Sequence, residues 1–539
     1  MLRIIGGYKP VNLYGNDLFF ALLFGSLFIL QFLWHITGAR SVERSGENAL
    51  SGTDRKPLTG LFFYFCVALA VSSLFRLFPG NARAPMEDSS AFLYIGERIL
   101  EGKAPYRDVF DHKGPLLYLI QIVGLKLTPG RYTGVWLLEV LNMLLTTAVS
   151  GLLAATVCDR EDSRYLAVLA VLGVCGWKIW QGGNFTEEYA LPWITLAAWV
   201  LFRFFRDGRY RTGDIILLGV GFMVVLLLRA NMIAIWMTLI PVILLLLVKE
   251  KRYAEIGRCV LLFLIGMVLV LIPTLLWAHL GGFLKDMWQD YVIFNFEYTD
   301  DAASAPTVRL FMMIRFAQVI WPGTLAVLLS LIIGFRRREQ WFNFLFYLAS
   351  LFTTSMSGRV YNHYAIVLLP ALVVPMSFLF DCIGRTLDRC QPRRLRPWIV
   401  VLTSCIILVG AFAYRKISDR EPEIEAVAAY LTENTEQEDD VLVLGKSLGY
   451  YIQAGRKTEN RFFYQLPPLE ISQKLRDEFK DELRKHPSDY IVISGDPVAR
   501  DTVRQKLYDV WAWMEQEILK EYRNESYESF EVYIREQEN

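Results

Sequence analysis

Long apolar runs, each about the length that crosses a bilayer, are separated by short polar breaks as far as about residue 414. Candidate spans fall near 17–38, 58–79, 131–157, 164–180, 188–206, 214–229, 231–248, 257–279, 311–335, 341–356, 363–382 and 397–414, roughly 12 in all. Segment 113–128 is apolar but short, and Gly124 and Lys126 interrupt it. It reads as a juxtamembrane helix lying at the interface and not as a span. From about residue 415 the pattern changes to dense charge. Strand-like stretches at Asp440–Gly445 and Tyr490–Gly495, with charged helices between, predict a small α/β domain. The expected fold is mainly α: a polytopic transmembrane domain over 1–414, with 80–130 as its first external loop, and a soluble C-terminal α/β domain over 415–539.

Charge fixes the expected orientation. With 113–128 kept out of the membrane, every odd-numbered loop is basic: Arg40 to Lys56, Arg160 and Arg164, Arg206 to Arg211, Lys249 to Arg258, Arg336 to Arg338, and Arg385 to Arg396. Basic loops face the cytoplasm. The loop 80–130, the breaks around Glu187, Arg229, 281–309 and Arg359, and the C-terminal domain then all face outward. The expected location is the plasma membrane, crossed many times.

Composition agrees. The chain is 54% hydrophobic and 21% charged, with mean hydropathy +0.31; an ordinary soluble domain is nearer 45–50% apolar and about 25% charged. A net charge of +1 with no basic tract gives no reason to expect a nucleic-acid partner. The first apolar run lacks a small-residue cleavage site, so no cleavable signal is expected. The seven cysteines form no CxxC pair, which leaves neither a disulfide framework nor a zinc site to argue.

The candidate chemistry lies in the outward breaks. Glu87 and Asp88 open an amphipathic stretch in which Phe92, Ile95, Ile99 and Leu100 share one face, suited to lying on the membrane. A carboxylate at that helix start is favoured by the dipole and equally serves as a plain cap. Tyr106, Asp108, Asp111, His112 and Lys113 close the same loop. Lys113 is either a surface salt-bridge partner of the two aspartates or a phosphate anchor. Glu187 and Glu188 follow Thr186, a potential cap, at the mouth of a span and can be a solvated helix start or site acids. Arg229, between two apolar runs, suits an anionic head group because its fork donates two hydrogen bonds. Arg359, Tyr361 and His363 precede another span, where aromatic residues and histidine also mark the interface. No histidine shows metal-ligand spacing, although the acids leave a divalent ion open.

Asp88 together with Lys113-Gly114-Pro115-Leu116-Leu117-Tyr118 resembles the first external loop of the GT-C membrane glycosyltransferases. The likeness is to the bacterial branch that holds protein O-mannosyltransferases and the lipid A aminoarabinose transferase. The stretch from Asn362-His363-Tyr364 to Pro370 resembles a late motif of bacterial members. This chain has Glu87-Asp88-Ser89 where relatives often carry Asp-Glu, and alignment on Phe92 and Ile95 favours Asp88. The resemblance implies a GT-C fold and a hexosyl- or pentosyltransferase that takes a sugar from a polyprenyl-phosphate donor with inversion. The acceptor would be a glycan, lipid or protein. It implies Asp88 as base, Glu187 or Glu188 as second acid, and Lys113 and Arg229 on the phosphate. Glu87, Tyr106, Asp108, Asp111, His112, Arg359, Tyr361 and His363 would line the substrate.

Two other classes stay open. A flippase of a lipid-linked glycan predicts charges along a pathway near the midplane, whereas the charges here concentrate at one face. A glycan polymerase or ligase would keep transferase chemistry with a pyrophosphate-linked donor.

Overall fold

The computed structural model describes residues 56–79, 85–176, 178–297, 306–390, 422–445 and 448–536. The expected spans 17–38 and 397–414 lie outside the described residues. The remaining predicted runs each contain a described helix. These are α1 (Lys56–Ser72), α4 (Thr133–Ala154), α5 (Glu161–Leu169, continued by π-helical Ala170–Cys175), α6 (Thr186–Asp207), α7 (Thr212–Leu228) and α8 (Ala234–Lys249), followed by α9 (Tyr253–Leu280), α10 (Pro306–Val319), α11 (Trp321–Ile333), α12 (Arg338–Ser355) and α13 (Pro370–Cys390). The loop after α1 holds α2 (Glu87–Leu100) and α3 (Pro115–Leu127). At 13 residues, α3 is short for a span, as its interrupted sequence predicted.

Among the described residues, α4 and α9 are long and apolar enough to cross a membrane, by length and composition, and two bent pairs raise the number to four. The predicted span 311–335 is not one helix: α10 and α11 meet at 96°. Pro322, in the first turn of α11, fits the break, because proline lacks the N–H that would continue the hydrogen-bond ladder from α10 but is tolerated in the first turn of a new helix. Residues Asn362–Leu368 form a 3₁₀ segment bent by 61° from α13, which starts at Pro370.

The helices are built inside out, as lipid requires. In α4 the polar positions Glu139, Asn142, Thr146 and Ser150 are buried, while Leu137, Leu141, Leu145 and Leu152 are exposed. Both sets recur at helical spacing, so one face meets protein and the other hydrocarbon. Helices α7 and α9 approach through small residues. A Cβ on Gly219 would lie 2.0 Å from the Phe263 carbonyl oxygen, and one on Gly266 would lie 2.1 Å from that of Ile216. Without a hydrophobic force between helices in lipid, such close backbone packing supplies the association.

The C-terminal unit contains α14 (Pro422–Asn434), β1 (Val441–Leu444), α15 (Gly449–Ala454), α16 (Gln473–Lys485), β2 (Tyr490–Ser494), α17 (Pro497–Lys506), β3 (Tyr522–Ser526) and β4 (Phe530–Arg535). Its sheet runs β1-β2-β4-β3, with β1 parallel to β2 and the other pairs antiparallel. The two strands expected from sequence are the parallel pair.

This unit docks on the loop between α1 and α3. Tyr94 of α2 stacks on Phe463 with ring centroids 4.6 Å apart, and its hydroxyl exchanges hydrogen bonds with the Thr458 backbone at 3.1 and 3.2 Å. The face of α2 expected on the membrane is corrected in its first half: Phe92 and Ile95 are buried in protein, where α15 and α3 cover the helix, while Ile99 is half-buried and Leu100 exposed. At the opposite end of the bundle the basic residues gather. Arg206 donates to the Ala155 carbonyl, Arg338 to that of Phe205, and Arg258 to the Thr212 hydroxyl.

Gly219→Ala is expected to destabilise the protein by about 1–3 kcal/mol through overpacking, read as a lower thermal midpoint in detergent. Gly257→Ala, whose Cβ would meet nothing within 4 Å, is the neutral control.

Candidate active site

The loop 101–114 is a folded structure held by its own polar side chains. The Asp108 carboxylate accepts from the Ala104 N–H at 2.7 Å and from Arg107, which holds its carboxyl below the usual carboxylate range. Tyr106 takes φ +66° and is fully buried, and its hydroxyl donates to the Lys113 carbonyl at 2.8 Å. Buried Asp111 accepts from the His112 N–H at 2.7 Å and from the Tyr118 hydroxyl at 2.9 Å. These three residues therefore shape the loop that presents Lys113. The loop ends where the Gly114 N–H meets the Leu228 carbonyl at the end of α7, at 3.1 Å. Only glycine fits there, since a Cβ would sit 1.9 Å from the Leu227 oxygen.

The same end of α7 carries Arg229, which pairs with Glu187 in the first turn of α6 and lies 4.0 Å over the Tyr364 ring. Thr186 is not the cap of α6; Phe185 holds that position, and the Thr186 hydroxyl donates to Glu187 at 2.8 Å. Glu188 points elsewhere. It and Glu139 of α4 accept from a single N–H, that of Asn184, at 2.9 and 2.5 Å. The adjacent acids that the sequence could not separate thus have different surroundings.

The turn before α6 joins these features. Gln181, Gly182, Gly183 and Asn184 all have positive φ, a run of left-handed backbone that ordinary residues avoid. It brings the Asn184 amide to the two acids and sets the Gln181 side chain beside His363, accepting from the His363 N–H at 3.1 Å with Nδ1 at 3.2 Å. His363 also stacks on Phe185 at 4.3 Å, in nearly parallel planes. Its Nε2 therefore faces Asp88, 3.4 Å away. Asp88 is not the cap of α2, since the helix begins at Glu87 after Met86; it lies in the first turn with its side chain 47% exposed. Glu87 beside it is exposed.

Among the candidate residues, the fold brings Asp88, His363, Glu187, Arg229 and Lys113 into one group, since His363 lies within electrostatic reach of the other four. Tyr361 stacks near His363 with centroids 5.7 Å apart. Lys113 turns its ammonium to His112, donating to Nε2 at 3.0 Å, and not to either aspartate. His112 is half-buried, and its removal from water first, then the charges of Lys113, Arg229 and Arg359, hold it well below the ordinary imidazole range. Lys113 touches this imidazole, Arg229 and Arg359 act on it through space, and Asp111 Oδ1 stands 3.6 Å from its Nδ1, so cations and carboxylates meet at the centre of the site. Among the described residues no three His, Cys, Asp or Glu side chains gather as a metal-ligand set.

Sequence reasoning passed over several residues that build this site. Glu139 interrupts an apolar span, a signal in its own right. Gln181 and Asn184 carry no such mark. Asn295, which donates to the His112 carbonyl at 2.8 Å, and Phe294, edge-on to Phe110 at 5.5 Å, come from the outward break 281–309. Trp288 of that segment is exposed.

The model of a family described as "Putative competence-induced protein Ccs4 N-terminal domain" matches residues 55–408. No curated protein sequence matches the chain significantly. Among solved structures, ArnT from Cupriavidus metallidurans bound to undecaprenyl phosphate superposes with a TM-score of 0.60 at 12% identity, covering 89% of this chain and 98% of that one. Its apo state gives 0.58 at 13% identity, covering 87% and 96%. The Archaeoglobus fulgidus oligosaccharyltransferase tethered to an acceptor peptide gives 0.50 at 12% identity, covering 89% and 74%. Both neighbours are GT-C membrane glycosyltransferases, and this chain has their fold.

His112 binds a proton more weakly in the folded state than unfolded. Below the unfolded value near 6.5 the unfolded chain therefore holds more protons, and stability falls as pH drops, by at most about 1.4 kcal/mol per pH unit for this group. A thermal midpoint that declines less steeply from pH 7 to 5.5 in His112→Asn than in wild type is the expected result.

Proposed function

This chain belongs to the family of the putative competence-induced protein Ccs4 N-terminal domain, and we propose that it is an integral membrane glycosyltransferase. It moves a sugar from a polyprenyl-phosphate donor to an acceptor hydroxyl at the outer face of the plasma membrane. The observation that carries this reading is the juxtaposition of a half-exposed carboxylate, Asp88 facing His363, with the cations Lys113, Arg229 and Arg359 around His112. A base and cations to meet the charge of a leaving phosphate are the two things such a transfer needs. The GT-C fold supports it, as does the undecaprenyl phosphate bound by the ArnT neighbour.

In this reading the donor's phosphate lies at Lys113 and Arg229. Asp88 accepts the proton of the acceptor hydroxyl as its oxygen attacks the anomeric carbon. The bond from that carbon to the phosphate oxygen breaks, and polyprenyl phosphate leaves with its electron pair, its charge met by the two cations. One displacement inverts the anomeric centre. His363 beside Asp88 orients the carboxylate. Glu187 is the second site acid, because it fixes the guanidinium of Arg229, whereas Glu188 belongs to the Asn184 network that braces α4 against α6. The basic residues at the far end of the bundle support an outward site and an outward C-terminal unit.

Purified protein offered a panel of polyprenyl-phosphate sugars is expected to release polyprenyl phosphate with at least one of them. Asp88→Asn, equally folded, is expected to be slower by about 10²–10⁴-fold. Near-wild-type turnover by Asp88→Asn would remove Asp88 as base. A folded wild type that turns over no phosphate-linked donor, but does use a pyrophosphate-linked one, would move the chain to the polymerase class.

A further inference from the structure

The C-terminal unit contributes side chains to the wall of the site. Its segment 457–464 lies along the loop that carries Lys113. The Phe110 N–H donates to the Arg461 carbonyl at 2.8 Å, and Arg461 donates in turn to the Tyr106 carbonyl at 2.8 Å. Arg461 itself is buried and paired with Asp290 and Glu478. Three residues on, the Tyr464 hydroxyl donates to Asp111 Oδ1 at 2.8 Å and stands 3.4 Å from His112 Nδ1.

These contacts form a directed chain. Lys113, having only donors, must give a proton to His112 Nε2, so the neutral imidazole carries its hydrogen on Nδ1. That hydrogen lies between two oxygens, that of Tyr464 at 3.4 Å and Asp111 Oδ1 at 3.6 Å from Nδ1, and the Tyr464 hydroxyl donates to the same Asp111 oxygen. Both routes from the imidazole end on the Asp111 carboxylate, which also receives the Tyr118 hydroxyl. A lysine side chain has four rotatable bonds and loses much rotamer freedom when fixed. The chain fixes it before any ligand arrives.

We propose that Tyr464 is a positioning residue for the donor's phosphate: through Asp111 and His112 it holds the Lys113 ammonium where the phosphate binds, so that the C-terminal unit completes the site. This deepens the function proposed above and rests on it. In family members lacking a C-terminal unit, another group would have to play the part of Tyr464.

The test uses the full chain and two lipids, polyprenyl phosphate and the uncharged polyprenol. Tyr464→Phe keeps the ring and removes only the hydroxyl. Polyprenyl phosphate is expected to bind about tenfold more weakly to Tyr464→Phe, equivalent to about 1.4 kcal/mol, while polyprenol binding is unchanged. In a Lys113→Met background the same substitution is expected to have no further effect, since Tyr464 acts through the lysine. Equal weakening for both lipids, or a full additional loss in the Lys113→Met background, would overturn the proposal by assigning Tyr464 to packing alone. Unchanged phosphate binding by Tyr464→Phe would also overturn it. Should that variant not fold, His112→Gln gives the same comparison: a selective loss of phosphate over polyprenol supports the chain, and equal affinities overturn it. Wild type that prefers polyprenol to polyprenyl phosphate would instead overturn the underlying functional reading.

Discussion

The ion pair of Glu187 with Arg229 holds the site end of the molecule together. Glu187 is almost wholly buried and Arg229 nearly so, which makes each the condition for the other: an unpaired charge at such a place costs several kcal/mol. The pair ties the first turn of α6 to the break between α7 and α8. That break is also where Gly114 seats the loop bearing Lys113, and where Tyr364 offers its ring face to the guanidinium. Three stretches far apart in sequence are thus brought to one place by one electrostatic requirement. Apolar packing alone would leave their rotation about the helix axes less defined, because lipid solvates a leucine face as well as protein does.

The loop between α1 and α3 is then fixed from two sides. The bundle holds its end through Gly114, and the C-terminal unit holds its middle through Tyr94, Arg98 and Phe110. Arg98, buried in α2, reaches Glu459 at 2.7 Å, and Lys103 reaches the same carboxylate at 2.6 Å. A long loop at a membrane surface is ordinarily a mobile element. Here Asp108, Asp111, Tyr94 and Tyr106 are taken up by hydrogen bonds within the loop and to the C-terminal unit, while Lys113 and Asp88 meet the histidines His112 and His363.

Much of this was legible in sequence, for definite reasons. Bilayer thickness imposes a length on apolar runs, so the helices could be placed. Basic residues collect at one end, so the polar breaks of the other end could be grouped before any contact was known. The GT-C resemblance rested on Asp88 and the Lys113-Gly114-Pro115 element, and the fold agrees. Legibility stopped where three-dimensional contact decides. The face of α2 carrying Phe92 and Ile95 has the same apolar pattern whether lipid or protein covers it. Pro322 was inside an apolar run long enough to be a span, and only the 96° bend shows that it ends a helix. Glu187 and Glu188 differ by one position, about 100° around a helix, which sends one to Arg229 and the other to Glu139. Neither Gln181 nor Tyr464 stands out from its neighbours by composition, since an amide or a phenol becomes informative only when its partner is known.

The most direct test of the central claim is to determine where a phosphate sits: a cryo-EM map of the full chain with polyprenyl phosphate in a lipid nanodisc. The account predicts phosphate density in contact with Lys113 and Arg229, with the prenyl chain running from there into the bilayer and Asp88 across from the phosphate. Density for the phosphate at the basic end of the bundle, near Arg206 and Arg338, would contradict it.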